Sequence, residues 1–203
     1  MRNGLLSRLA AGCIAVAISA APISLAPAQG SDLELARLLA SPDTRHRAVY
    51  EIVMSGHADL PALLALARDP PDEVDKSGLY VGLADVFGRL RAKDAIPFLI
   101  ENISLQRFTP AAGNIWLKTD QVVQEMLPAV VALIRIGPEA SRALIREPWK
   151  ERPPDDHHAA VFVVAHIRGV AEARNFLISA LDNGPIERHW AEEGLRLLDE
   201  NRK

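Results

Sequence analysis

Cysteine is almost absent from this sequence. The only one, Cys13, lies in an N-terminal segment that we expect to be removed from the mature protein. A chain without cysteine forms no disulfide, has no thiolate nucleophile and offers no zinc–thiolate site. Chemistry based on sulfur is therefore excluded for the mature chain.

The signatures of common enzymes are also missing. The sequence contains no G-x-S-x-G, no G-x-G-x-x-G and no G-x-x-x-x-G-K motif, which mark nucleophile elbows, dinucleotide-binding turns and phosphate-binding loops. Basic residues are in the minority, with 23 Lys and Arg against 26 Asp and Glu. Because an acidic chain is poorly suited to nucleic-acid phosphates, binding to nucleic acid is not predicted.

Charge is lacking near the N-terminus. No residue from Leu9 to Gln29 is charged, two arginines precede this run, and Ala26-Pro27-Ala28 has the small-x-small pattern of a cleavage site. We predict a secretory signal peptide over residues 1–28, cut after Ala28. An uncleaved membrane anchor is the alternative, but the run is short, rich in alanine and interrupted by Pro22.

Lipidation at Cys13 is a minor alternative to simple cleavage, because Ala10 stands where lipoprotein signals usually carry leucine. Cleavage after Ala28 leaves 175 residues with 21 basic and 26 acidic side chains, a net charge of −5 with histidine neutral. We therefore expect a periplasmic or secreted protein with no stable membrane span. At this length, one domain over residues 29–203 is predicted.

Alternating β-branched residues, the usual mark of strands, are absent from residue 31 onward. Apolar residues recur instead at the spacing of amphipathic helices. One such stripe consists of Leu79, Leu83, Val86, Phe87 and Leu90. The sequence therefore predicts an all-α fold.

Four short helical segments repeat along the chain, each preceded by a longer helix and a tight turn. Their anchor positions, Pro61, Pro97, Arg142 and Asn175, are 36, 45 and 33 residues apart, which brackets the period of two-helix repeats. Over about residues 42–182 the chain resembles HEAT-repeat proteins, most closely the short bacterial form with a second helix like "DAIPFLIENI".

The resemblance implies a right-handed α-solenoid of about four helical pairs with terminal capping helices. The predicted repeats span about 42–68, 74–103, 119–147 and 155–182. Within them we expect the helix pairs 43–55 with 59–68, 74–91 with 94–103, 119–136 with 138–147, and 155–168 with 170–182. A helix over 32–40 is predicted to cap one end, and a charged helix over 185–200 the other.

Prolines support these boundaries, because proline is tolerated in the first turn of a helix. The predicted starts are marked by Pro42, Pro71, Pro138, Pro154 and Pro185. Pro128 falls inside the helix predicted over 119–136, where it removes a hydrogen bond. We expect a kink there.

The stretch "PPDDHHAAVFVVAH", residues 153–166, raises the question of a metal or acid–base site. Neighbouring helical residues diverge by about 100°, so His157 and His158 cannot bind one ion on a regular helix. We expect instead that Asp155 or Asp156 caps the helix and that His166 packs near the core. No metal and no cofactor is predicted.

Two neighbouring inter-repeat segments are long, "SLQRFTPAAGNIWLK" and "EPWKERPPD", and each places a tryptophan next to or near a lysine. Insertions in repeat proteins map to one edge and often bind partners, and Trp and Arg are frequent interface hot spots. The predicted partner-binding residues are Arg107, Phe108, Trp116, Lys118, Trp149 and Lys150. The alternative is that both tryptophan rings fold back over helix ends.

By resemblance, the predicted function is that of an exported, non-catalytic protein-interaction module or scaffold in the bacterial envelope. A fold supports such a function only by analogy. Two other functions stay open at this point: a metal-dependent or lyase-like enzyme on the same scaffold, and ligand sensing in the concave surface.

Overall fold

The computed structural model of the protein describes residues 29–56, 60–107, 120–147, 152–182 and 185–200. All regular structure in these ranges is helical and no strand occurs in them, which confirms the predicted all-α class. The helices are α1 (Gln29–Ala40), α2 (Pro42–Ser55), α3 (Leu60–Arg68), α4 (Lys76–Leu90), α5 (Ile96–Glu101), α6 (Asp120–Met126), α7 (Pro128–Ile136), α8 (Pro138–Arg146), α9 (Pro154–Arg168), α10 (Val170–Ala180) and α11 (Pro185–Glu200). The predicted signal peptide lies outside the described residues.

Proline stands in the first turn of α2, α5, α7, α8 and α9, as its missing N–H allows. The prediction that Pro71 begins a helix is wrong. Pro71 opens a turn in which the backbone N–H of Val74 donates to the Pro71 oxygen at 3.2 Å. Helix α4 begins later, at Lys76, where the Asp75 carboxylate accepts a 2.8 Å hydrogen bond from the backbone N–H of Gly78. Asp75 is therefore the residue that sets the start of α4.

Pro128 does more than kink a helix. Residues 120–136 form two helices, α6 and α7, separated at Leu127, whose φ of −113° and ψ of 86° are not helical. A residue before proline is disfavoured in helical conformation, because the proline ring clashes with it. The single helix predicted over 119–136 is therefore wrong, and Pro128 begins α7.

Two tight turns within the predicted pairs depend on glycine. Gly137 between α7 and α8 has a φ of 87°, and Gly169 between α9 and α10 has a φ of 91°. Such positive φ values are strained for residues with a Cβ atom. Each glycine also donates its N–H to the end of the preceding helix, Gly137 to the Leu133 oxygen and Gly169 to the Ala165 oxygen.

Helices that begin or form part of the first helix in each predicted pair contact one another in chain order: α2 with α4, α4 with α7, and α7 with α9. In the third and fourth predicted pairs, α8 packs on α7 and α10 packs on α9. The first predicted pair is different, because α2 packs mainly on α1 and α4, and α3 lies against α1 and α4. Helix α1 is therefore part of the central packing rather than only an end cap, and its Ala36 and Leu39 are fully buried.

Glycines in α4 allow this close packing on two sides. A Cβ atom at Gly82 would lie 2.6 Å from the backbone oxygen of Leu39 in α1. A Cβ atom at Gly88 would lie 2.7 Å from the Cα atom of Ala132 in α7. Real Cβ atoms do not approach backbone so closely, so only glycine permits these helix separations. The apolar stripe predicted for α4 is buried between these neighbours.

A helix that spans a lipid bilayer needs about 20 predominantly apolar residues. In the part of the chain that the structure describes, no helix is both long enough and apolar enough to do so.

Candidate functional site

One of the two acidic residues that open α9, Asp156, forms a buried ion pair. Pro153 precedes the helix and no side chain caps it, so the prediction that Asp155 or Asp156 caps α9 is wrong as a hydrogen bond. Asp156 is only 4% exposed, and its carboxylate lies 3.4 Å from an Nη atom of Arg152. Arg152 also donates to Glu147 at 2.7 Å and to the Ile100 backbone oxygen at 3.1 Å. This arginine therefore connects α9 with α5 and the end of α8.

The histidines of α9 lie on different faces from those expected. His166 was predicted to pack near the core, but it is exposed, and its ring packs on Phe162 with 4.0 Å between centroids. His157 is buried instead, at 3% exposure. The two histidines are nine residues apart, about two and a half helical turns. They therefore point in opposite directions, and the prediction for His166 is wrong.

His158 is half-buried where α9 meets α11. Burial lowers the pKa of His158 below its ordinary value of 6.5, while Glu193 and Asp155 act in the opposite direction. Among the described residues, no group of three or more His, Cys, Asp or Glu side chains is arranged to hold a metal ion. At the start of α9, Asp156 and His157 are buried and His158 is partly buried, whereas Asp155 is exposed.

Of the six predicted partner-binding residues, only Arg107 is described; Phe108, Trp116, Lys118, Trp149 and Lys150 lie outside the described residues. Arg107 donates to both oxygens of Asp85 in α4, at 2.6 and 2.8 Å. It also donates to the Glu125 backbone oxygen at 3.3 Å, and its own N–H donates to the Met126 oxygen at 2.8 Å. Arg107 therefore attaches the chain to α4 and α6.

The Asp85–Arg107 pair lies in a cleft of about 330 Å³ between α2, α4 and α7, which we call the arginine groove. Each helix contributes residues spaced three, four or seven positions apart, so that they share one face. The lining residues are Pro42, Arg45, His46 and Val49 from α2, Asp85 and Arg89 from α4, Val131 and Arg135 from α7, and Arg107. Four arginines and one aspartate give the lining a net charge of +3 with His46 neutral.

Two arginines of the groove are fixed by internal hydrogen bonds. Arg45 is 8% exposed and donates to the backbone oxygens of Leu39 and Ala40, at 2.9 and 2.7 Å. These carbonyls end α1 and have no partner within that helix. Burial, and next the nearby charge of Arg107, lower the pKa of Arg45, while Asp85 acts in the opposite direction. The hydrogen bonds of Arg45 and Arg107 thus fix two guanidinium groups in the wall of the groove.

Arg89 and Arg135 differ from the other two. Both are exposed, and within the described residues neither has an ion-pair or hydrogen-bond partner. They stand in the last turns of α4 and α7, which are in direct contact. Their guanidinium groups are thus the part of the arginine groove that is available to a ligand.

Of the arginine groove, sequence reasoning found only Arg107. The other lining residues are spread over three helices whose sequences look like ordinary amphipathic segments, and no local motif marks them. The only local signal is the four-residue spacing that places Arg89 on the face of Asp85 and Arg135 on the face of Val131. Their convergence depends on how α4 packs on α2 and α7, which is tertiary information.

A second and larger cleft, of about 600 Å³, lies between α3 and α5. Its wall includes Tyr80 and Phe98, whose rings meet edge to face with centroids 5.1 Å apart. Its charged lining residues, Arg68, Asp94 and Glu101, are of both signs. It therefore lacks the single-sign character of the arginine groove.

Comparison of the chain with protein-family models, curated proteins and solved structures finds no significant match. The likeness to HEAT repeats consequently rests on the pattern of residues and helices described above. Function must be argued from the groove itself.

Proposed function

We propose that this protein is an exported, non-catalytic α-solenoid of the HEAT-repeat kind that binds a protein partner in the bacterial envelope. The observation that carries the proposal is the arginine groove, where Arg89 and Arg135 are exposed beside two fixed arginines and have no ion-pair or hydrogen-bond partner among the described residues. Charged groups without partners on a concave surface are suited to receive a ligand of opposite sign.

The surface next to the groove also has the composition of an interface. Tyr50 and Met54 follow His46 at four-residue intervals on α2, so the three side chains lie along one side of that helix. Tyr50 is 56% exposed and Met54 is 68% exposed. Tyrosine, methionine and arginine are enriched in protein interfaces. A partner seated in the groove would contact both kinds of residue.

The solenoid arrangement is supported by the order of helix contacts. Helices α2, α4, α7 and α9 contact one another in chain order, and α8 and α10 pack beside α7 and α9. Such stacking produces extended surfaces that repeat proteins use for binding. Export is supported by the uncharged N-terminal segment and by the small-x-small pattern Ala26-Pro27-Ala28 within it.

Site-specific photo-cross-linking in cells tests this proposal. A photoreactive phenylalanine analogue replaces Tyr50 in one variant and Ile178, 48% exposed on α10, in a control variant. We expect a protein adduct from position 50, recovered with the periplasmic fraction, and little or none from position 178. Equal adducts at both positions, no adduct at position 50, or retention of the protein in the cytoplasm would contradict the proposal.

A further inference from the structure

We propose that the arginine groove binds an acidic segment of the partner polypeptide, whose carboxylates are held by Arg89 and Arg135. This inference rests on the proposed function and adds the chemical class of the partner. A guanidinium group presents a planar fork of N–H donors that matches a carboxylate with two parallel hydrogen bonds. Two such forks are available at neighbouring helix ends.

The groove already contains one example of this recognition. Asp85 accepts hydrogen bonds from both terminal nitrogens of Arg107, at 2.6 and 2.8 Å. That pair uses the only acidic side chain of the lining. Arg45 is engaged by the carbonyls that end α1. The lining therefore offers no further carboxylate to Arg89 and Arg135, and their exposed donors are open to one from a ligand.

Arginine in the last turn of a helix has an ordinary role, since its charge interacts favourably with the helix dipole. Arg37 in α1 and Arg146 in α8 are exposed last-turn arginines of this ordinary kind, and neither lines the groove. Arg89 and Arg135 occupy the same position in their helices but share one cleft with two further arginines. The convergence, and not the helix position, distinguishes them.

The volume of the arginine groove and the charge of its lining favour peptide carboxylates over a nucleic acid as the ligand. A cleft of about 330 Å³ is at the lower end of the range for ligand pockets, and it accommodates a few side chains. The groove lining has a net charge of +3 within a chain whose net charge is −3. A nucleic acid is held by basic residues spread along a face, because its phosphates recur every few ångströms.

Fluorescence anisotropy with a labelled hexaglutamate peptide, at low ionic strength, tests the inference directly. The variant Arg89→Glu/Arg135→Glu reverses both available charges. The control variant Arg37→Glu/Arg146→Glu makes the same chemical change at two last-turn arginines outside the groove. Losing two charge-assisted contacts should weaken binding about tenfold or more, whereas the control should stay within about twofold of the original protein.

Circular dichroism of each variant establishes that it is folded. If Arg89→Glu/Arg135→Glu fails to fold, then Arg89→Gln/Arg135→Gln replaces it, because glutamine removes the charge without adding a repulsive one. Absence of hexaglutamate binding to the original protein would overturn the inference. Equal weakening in the groove variant and the control would also overturn it, since binding would then follow net charge alone.

Two further probes test whether the groove binds phosphate groups instead of carboxylates. Inorganic phosphate and vesicles of phosphatidylglycerol and phosphatidylcholine are tested against the original protein and both variants. The inference expects hexaglutamate to bind and these probes to compete weakly. If either probe binds through Arg89 and Arg135 and displaces hexaglutamate at lower concentration, the groove is a phosphate site and the inference is wrong.

Failure of this inference can be separated from failure of the proposed function. Cross-linking at position 50 is repeated with Arg89→Glu/Arg135→Glu and with the control variant. The inference expects the adduct to be lost only in the groove variant. An adduct that survives in both would overturn the acidic-segment inference and leave the interaction module intact, whereas no adduct in the original protein would contradict the proposed function itself.

Discussion

Helices α4 and α9 are alike in length, with fifteen residues each, but they use their polar residues differently. In α4, Asp85 and Arg89 face a cleft that is open to solvent. In α9, Asp156 and His157 are buried between helices, and Asp156 is matched by Arg152. Both helices are central to the packing, since α4 contacts α1, α2 and α7, and α9 contacts α7, α8, α10 and α11.

The difference teaches where a binding site arises on such a scaffold. The buried Asp156 carboxylate of α9 is matched by Arg152 of the same chain, so it contributes to stability and has little capacity left for a ligand. Polar residues of α4 lie beside those of α2 and α7 at a surface that is open to solvent. There the guanidinium groups of Arg89 and Arg135 have N–H donors that a ligand can use. We therefore expect substitutions in the two regions to separate stability from binding.

The largest expected effect comes from breaking the α9 ion pair with Arg152→Leu. This change leaves the Asp156 carboxylate buried without its cation and also removes the bonds to Glu147 and Ile100. We expect the free energy of unfolding to fall by about 3 kcal/mol. Urea denaturation measures it.

Arg89→Leu is the matched change in α4, because it replaces an exposed arginine that has no partner in the described part of the chain. We expect its effect on unfolding to stay within about 0.5 kcal/mol. The second variant Arg152→Leu/Asp156→Leu should recover part of the lost stability, because it removes the buried charge as well. Similar losses in Arg152→Leu and Arg89→Leu would contradict the distinction drawn between the two helices.

A smaller effect is expected at the glycines that bring helices together. Replacing glycine by alanine in a helix ordinarily stabilises it, but a Cβ atom at Gly88 meets the backbone of Ala132 at 2.7 Å. We expect Gly88→Ala to lower the free energy of unfolding by about 2 kcal/mol, since α4 and α7 must separate. Thermal and urea denaturation would show the loss.

Gly194 in α11 provides the comparison from the α9 region. A Cβ atom there would first meet the Cδ atoms of Leu177, at 2.8 and 3.1 Å, which can shift by rotation of the side chain. We expect Gly194→Ala to change stability by less than about 1 kcal/mol in either direction. An equal loss at both glycines would mean that contact with backbone is not the deciding factor.

The smallest effect concerns pH and belongs to α9 alone. Burial lowers the pKa of His158, with Glu193 and Asp155 opposing that shift and His157 and Arg196 adding to it. Above pH 6.5 the side chain is neutral in both states. Below this pH the unfolded chain takes up the proton first, so the free energy of unfolding should fall until the pH reaches the folded-state pKa.

For a single proton this slope cannot exceed about 1.4 kcal/mol per pH unit. Urea denaturation between pH 8 and pH 5 measures it in the original protein and in His158→Gln, which should lose this contribution. The control is His166→Gln, which makes the same substitution at an exposed position of the same helix. A slope that His158→Gln leaves unchanged would show that His158 is not its source.

Much of the helical layout could be predicted from the sequence, because helix ends are local features. The prolines at positions 42, 138, 154 and 185 do begin helices, and Gly137 and Gly169 do end them. The buried stripe of α4 follows from helical periodicity alone. The predictions for Pro71 and Pro128 were wrong, because the effect of a proline depends on whether the residues around it can continue or cap a helix.

The candidate site could not be predicted in this way. The stretch "DDHH" suggested a metal or acid–base site because four polar residues are adjacent in sequence. On a helix, however, adjacent residues point in different directions. Arg89 and Arg135 are 46 positions apart and become neighbours only when α4 packs on α7. That packing depends on Gly88, whose importance is visible only once the facing Ala132 is known.

The hydrogen bonds of Arg45 make the groove depend on α1. This side chain lines the cleft while it donates to Leu39 and Ala40 at the end of α1. A ligand that favours the present position of Arg45 therefore also favours α1 in its docked position, and the coupling is reciprocal. A ligand bound in the groove should therefore increase the protection of the α1 backbone amides from hydrogen exchange.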